Sequence, residues 1–175
     1  MTRKSIDPAK LTIQAHDLFH KQWMLLTCGD FDEGKFNTMT IGWGSVGTMW
    51  SRPFVLVAVR PSRYTYQFME EFDDFTVSSF PKIYHNALNL LGTKSGRDSD
   101  KISEAGLTPI PSSVVHSPSF AEANLIIECK KIYWHDFEPD HFIDKSIFNA
   151  YPNEDFHRVY FGEIQAIFGI DEFSV

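Results

Sequence analysis

Arg60-Pro61-Ser62-Arg63-Tyr64-Thr65 joins two very different runs of sequence. Before it stands the apolar stretch Phe54-Val55-Leu56-Val57-Ala58-Val59, which reads as a buried strand. After it, Tyr64, Phe68 and Phe72 recur at a spacing of four, which reads as one face of a helix. Ser62 stands where the N-cap of that helix is expected. Two arginines, a serine and a threonine thus gather where a strand hands over to a helix. The unpaired N–H groups and partial positive charge of a helix start suit a phosphate dianion. On these six residues alone, an ordinary capped helix with two surface arginines is an equal reading.

Working outward, residues 23–28 read as a strand and 29–35 as a hairpin turn rich in Gly and Asp. Residues 37–43 make a second strand. Gly42, Gly44 and Gly47 are expected to form a flexible link up to Pro53. The third strand is 54–59, the first helix 62–72, and 74–80 a further strand ended by Pro81. Residues 82–91 form a second short helix stopped by Gly92, and 101–105 a helical turn. Residues 120–137 and 159–168 are the last strands. Strands come in neighbouring pairs with few helices between them. That pattern opposes an alternating βαβ sheet and predicts a mainly β, antiparallel barrel with peripheral helices, in one domain over 1–175.

The 175 residues include sixteen Phe, and 43% of the chain is apolar, so a real core is available and disorder is excluded. The formal net charge of −7 is uneven: residues 136–175 hold nine acidic and two basic side chains, and the rest is balanced. No basic stripe marks a nucleic-acid binder, and the acidic tail reads as solvated surface. Cys28 and Cys129 each sit in an apolar run and read as buried thiols. The first ten residues lack the apolar core of a secretory signal, and no stretch is long enough to span a membrane. A cytoplasmic protein without a membrane partner is expected.

Several apparent motifs fail on context. Gly42-Trp43-Gly44-Ser45-Val46-Gly47 matches G-x-G-x-x-G, but Pro53 and a strand follow too soon for the helix a dinucleotide needs. The glycines read instead as a bend allowing close backbone approach. Gly92-Thr93-Lys94-Ser95-Gly96-Arg97 lacks the spacer of a P-loop, although a Gly-flanked loop with Lys, Ser and Arg can still clamp an anion. His16 and His20 share a helical spacing without a third ligand, so no metal site is expected. No G-x-S-x-G elbow is present. Three polar groups remain that a barrel could bring together: 37–40 with Trp43, 60–65, and Lys94 with Ser95. Together they describe a site for a flat ring carrying a phosphate.

These same stretches resemble the flavin reductase-like, FMN-binding split-barrel family, which includes the flavoredoxins. Asn37-Thr38-Met39-Thr40-Ile41-Gly42-Trp43 is similar to its N-x-M-T-x-x-W segment, and Arg60-Pro61-Ser62-Arg63-Tyr64-Thr65 to its R-x-S-R-Y-T segment. Phe75-Thr76-Val77-Ser78 resembles its F-T-V-S strand, residues 92–98 one of its loops, and His157 with Gly162-Glu163 its late H-x-x-x-x-G-E strand. The resemblance runs in order from about residue 23 to 170. It implies a split β-barrel, a homodimer, and non-covalent FMN near the dimer interface. It implies that Arg60, Ser62, Arg63, Thr65 and Lys94 hold the phosphate. Asn37, Met39 and Thr40 would line the ring, with Ser79 and Phe80 on the neighbouring strand. His157 would stand where NADH, NADPH or another reductant approaches; the other reading is a strand histidine facing solvent or the subunit interface.

Charge-assisted donors for a dianion and an aromatic, apolar pocket support that assignment independently. Two functions fit it: a flavin reductase or flavoredoxin passing electrons from NAD(P)H or a redox partner through FMN, and a flavin carrier or electron-transfer module without NAD(P)H turnover. A barrel that binds a ligand other than flavin is a third.

Overall fold

The computed structural model describes residues 2–175. Seven strands carry the fold: β1 (Met24–Asp30), β2 (Lys35–Ile41), β3 (Gly44–Met49), β4 (Arg52–Val59), β5 (Asp74–Ser79), β6 (Leu125–Asp136) and β7 (Arg158–Gly169). With the two-residue strand Lys4–Ser5 on β7 they form one eight-stranded sheet in the order β2-β1-β5-β6-β7-β4-β3. Every pairing in it is antiparallel.

The two edge strands of that order, β2 and β3, are joined by Gly42 and Trp43 alone. Three Cα steps span at most about 11 Å, so the sheet must curl until its edges nearly meet. The result is a split barrel, closed by a covalent link instead of a hydrogen-bonded ladder. Its interior holds Met24, Leu26, Val55, Val57, Phe75, Val77, Ile127 and Tyr160, each nearly or fully buried. A second cluster outside the barrel seats Leu88 and Leu91 on Leu25, Phe80 and Phe120.

Helix α1 (Tyr64–Glu71) packs on β1 and β2, helix α2 (His85–Thr93) packs on β2, and the single-turn α3 (Lys101–Glu104) packs on α2. Phe68 and Met69 anchor α1 in the barrel core.

Three expectations need correction. The stretch from Gly44 is strand β3, which pairs with β4 from Gly44↔Val57 to Met49↔Arg52. Its glycines read as a linker because they lack apolar alternation. Gly44 is instead required by contact, since a Cβ there would run into the Phe19 ring and the Leu56 carbonyl. Secondly, α1 begins two residues later than expected. Arg63 occupies the N-cap with extended backbone and, having no acceptor in its side chain, makes no cap bond, while the Ser62 hydroxyl donates to Asp155. Helix α2 also continues through Gly92 to Thr93.

Candidate functional site

The seam between β2 and β3 opens into two cavities that share Arg63. One, of about 190 Å³, lies against the seam itself, between Met39, Thr40, Gly42 and Trp43 on one side and Ala58, Arg60 and His157 on the other. The second, of about 230 Å³, is walled by Asn37, Ser62 and Thr65, by the loop residues Thr93, Lys94, Ser95 and Arg97, and by Lys101. Each alone is small. Taken together, their volumes fall within the range of a ligand pocket, roughly 300–1,000 Å³.

Local chemistry fixes the walls. Asn37 is 4% exposed, and its amide donates to the Thr65 hydroxyl at 2.8 Å, tying β2 to the first turn of α1. Thr40 donates to the Leu88 carbonyl and so locks β2 to α2. Gly96 lets the 92–97 loop lie directly on Asn37 and Tyr64; a Cβ there would strike the Asn37 amide oxygen. The Arg97 guanidinium stacks 4.8 Å from the Tyr64 ring centroid.

Charge distinguishes the two ends. Arg63 donates to the Gly92 carbonyl at 2.8 Å, and Lys101 donates to the carbonyls of Leu91 and Lys94 at 3.0 and 3.1 Å. Neither pairs with a carboxylate among the described residues. Burial, with Arg60 adding repulsion, lowers the Arg63 pKa, and burial with the Arg63 charge pushes the Lys101 ammonium down to about 8. Lys101 is only 3% exposed. A half-buried Arg63 and a buried Lys101, two cations that repel each other, make an anion site with Thr65, Ser95 and an uncapped helix start.

Arg60 and Lys94 differ. The Arg60 guanidinium bonds the Asp155 carboxylate at 2.6 Å and the Ala150 carbonyl at 2.7 Å, while Lys94 pairs with Glu104. Ser62 donates to the other Asp155 oxygen at 3.1 Å. The acidic tail is therefore not simply solvated surface. Its strand β7 is built into the barrel, and the segment before β7 folds back onto the site. Tyr151 and His157 belong to that returning segment, with the Tyr151 hydroxyl 2.7 Å from His157 Nδ1 and the imidazole 4.7 Å from the Trp43 ring centroid. His157 is 8% exposed, facing neither bulk solvent nor a free strand surface. Burial, reinforced by Arg60, pushes its pKa down to about 4, so the ring is neutral at neutral pH.

Of the residues singled out in the sequence, Asn37, Met39, Thr40, Arg60, Ser62, Arg63, Thr65, Lys94 and His157 each line one or both of the two cavities. Ser79 and Phe80 line neither. The sheet order places β1 between β2 and β5, so they are not on a strand beside Asn37–Thr40. Phe80 belongs to the second cluster and borders a separate cavity with Lys82 and His85. Sequence reading missed Lys101, Tyr151 and Asp155. Only Lys101 carried a signal, as a lysine just inside a helical turn capped by Asp100.

A profile of the flavin reductase like domain matches residues 16–169. The chain belongs to that family. An uncharacterized protein of Pyrococcus abyssi (strain GE5 / Orsay) is 30% identical over 142 residues, 79% of this chain and 78% of that one. Among solved structures, flavoredoxin of Desulfovibrio vulgaris (Miyazaki F) shares 26% identity with a TM-score of 0.65, covering 86% of this chain and 70% of that chain. An FMN-binding domain of a flavin reductases-like enzyme from Shewanella baltica OS155 has a TM-score of 0.69 at 18% identity, covering 96% and 77%. The latter likeness is one of fold. No helix among the described residues of this flavin reductase-like chain is long and apolar enough to cross a membrane.

Proposed function

We propose that this chain binds FMN non-covalently across the two neighbouring cavities and serves as an oxidoreductase through it. The observation that carries this reading is the pair of half-buried Arg63 and buried Lys101, cations without a carboxylate among the described residues, in a cavity beside a second one bordered by Trp43 and His157. A phosphate dianion supplies the missing counter-charge, with Thr65 and Ser95 as hydroxyl donors. Met39, Thr40, Trp43 and His157 border the space for the ring. Bound there, FMN supplies one- and two-electron redox chemistry. The protein orients it, excludes water on the Met39 side and presents a neutral imidazole, fixed by Tyr151, at the ring end.

NADH or NADPH is the proposed reductant. The G-x-G-x-x-G glycines lie in and before strand β3, so they make no helix start for a pyrophosphate. A nicotinamide would have to reach the exposed side of the ring cavity, where Trp43 is 47% exposed, and be held by few contacts. The carrier reading predicts flavin binding without consumption of NADH or NADPH. Identifying the chromophore released on mild denaturation, then following NAD(P)H oxidation with added FMN, separates the two.

The same reading includes a homodimer. Trp50 and Tyr133 are 58% and 44% exposed, their ring centroids 5.8 Å apart, and both pack on Phe161. Such a cluster of half-exposed aromatics suits an interface core.

A further inference from the structure

A further cavity, of about 300 Å³, shares no lining residue with the two at the seam. Its floor is apolar, with Phe80 and Leu88 only 4% and 2% exposed and Pro81 beside them. Its rim is polar. Asp17, Lys21 and Gln22 come from the segment before β1, and Lys82 and His85 from the entry to α2.

The rim charges do not cancel. Asp17 is already satisfied, pairing with the Lys21 ammonium at 2.9 Å and accepting from the Gln22 amide at 2.7 Å. Lys82 acts on that carboxylate only as a more distant charge, and it forms no ion pair among the described residues. Two ammonium groups thus face one carboxylate, a cationic spot on a chain of formal net charge −7.

The backbone beside this cavity is unusual. Leu18–Gln22 form a π-helical turn, and Trp23 follows at φ 64° and ψ 160°. A bulky residue is seldom held there, and both devices gather at ligand sites. The Trp23 indole lies on His85, ring centroids 4.5 Å apart and planes 20° from parallel. The same indole lies behind Gly42, where a Cβ would come within 3.4 Å of it. Gly42 lines the ring cavity. Trp23 therefore stands between one lining residue of each cavity.

We propose that the cavity at Phe80, Lys82 and His85 is a second ligand site, which takes a small aromatic monocarboxylate. The proposal does not depend on the flavin reading. Phe80 and Leu88 offer an aryl ring an apolar floor, and the carboxylate supplies the counter-charge that Lys82 lacks. One unpaired ammonium matches a monoanion; a phosphate dianion would find one cation too few. A neutral amide would leave Lys82 without its partner, and an acid without a ring would leave the floor uncovered.

The test is calorimetric titration of the full chain with benzoate, benzamide and acetate, with and without excess FMN. One benzoate per chain is expected, bound at least tenfold more tightly than benzamide or acetate, and excess FMN should change its dissociation constant less than threefold. Lys82→Met, an exchange at an exposed position, should weaken benzoate at least tenfold without altering the thermal unfolding midpoint. Benzoate should also change tryptophan emission, and Trp23→Phe should remove most of that response. No benzoate binding at millimolar concentration, equal binding of benzamide, or unchanged affinity in Lys82→Met overturns the proposal. Displacement of benzoate by FMN, or an unchanged emission response in Trp23→Phe, places the acid elsewhere and overturns it too.

Discussion

Arg63 and Lys101 line one cavity, and the Arg63 charge helps to hold the Lys101 ammonium down at about 8. Two cations in this relationship destabilise each other until an anion comes between them. A phosphate dianion would raise the Lys101 pKa again. FMN binding should therefore take up a proton above about pH 8, and affinity should fall as pH rises through that value. Calorimetry in buffers of different ionisation enthalpy reads the proton uptake directly. Lys101→Met should abolish it and weaken FMN binding by roughly tenfold or more, the scale of one charged hydrogen bond of about 1.5–3 kcal/mol.

Without ligand the sign reverses for stability. The unfolded lysine titrates near 10.5 and the folded one near 8, so the unfolded state holds more protons between those values. Apoprotein stability should rise with pH across that window, measured by urea unfolding at pH 8 and pH 10. Lys101→Met should flatten the rise.

Arg63→Ala should raise the FMN dissociation constant by roughly 10- to 100-fold while leaving the ligand-free fold at least as stable, since it removes a like charge from Lys101. Thermal unfolding with and without FMN checks both halves. A drop in apoprotein stability with unchanged FMN affinity would make Arg63 a structural residue.

Much of this arrangement was legible because it depends on local pattern. The apolar run 54–59, the Tyr64/Phe68/Phe72 spacing and the Gly-flanked loop at Lys94 each place an element from its own residues. The barrel followed from paired strands, and nine of eleven site residues lie where the cavities are. What failed depends on distant partners. Ser62 reads as a cap until Asp155, far along the chain, takes its hydroxyl. Gly44 reads as a linker until Phe19 fills the space where a side chain would go. Ser79 and Phe80 are what the resemblance implies, on a strand beside Asn37–Thr40, but strand order is set by the whole sheet, and β1 intervenes.

His157 sets a second pH window. Its folded pKa of about 4 lies below the ordinary 6.5, so the unfolded state binds more protons between those values. Stability is complete above about pH 6.5 and is lost as pH falls toward 4, by up to about 3 kcal/mol at about 1.4 kcal/mol per unit. Arg60 and Arg63 oppose its protonation and Asp155 favours it, so Asp155→Asn should steepen the loss. Denaturant titrations at pH 7 and pH 5, with His157→Phe as control, measure it; an equal slope in the control would assign the window elsewhere.

Trp50→Ser combined with Tyr133→Ser should convert a dimer to a monomer at low micromolar concentration, read by light scattering. A wild type that scatters as a monomer contradicts the proposed interface outright.

The central claim is that Arg63 and Lys101 form the seat of a flavin phosphate. Titrating the same apoprotein with FMN and with riboflavin tests it most directly, since the two ligands differ only in that group. At pH 7 the account predicts one FMN per chain, bound at least a hundredfold more tightly than riboflavin. Equal dissociation constants for the two would contradict it.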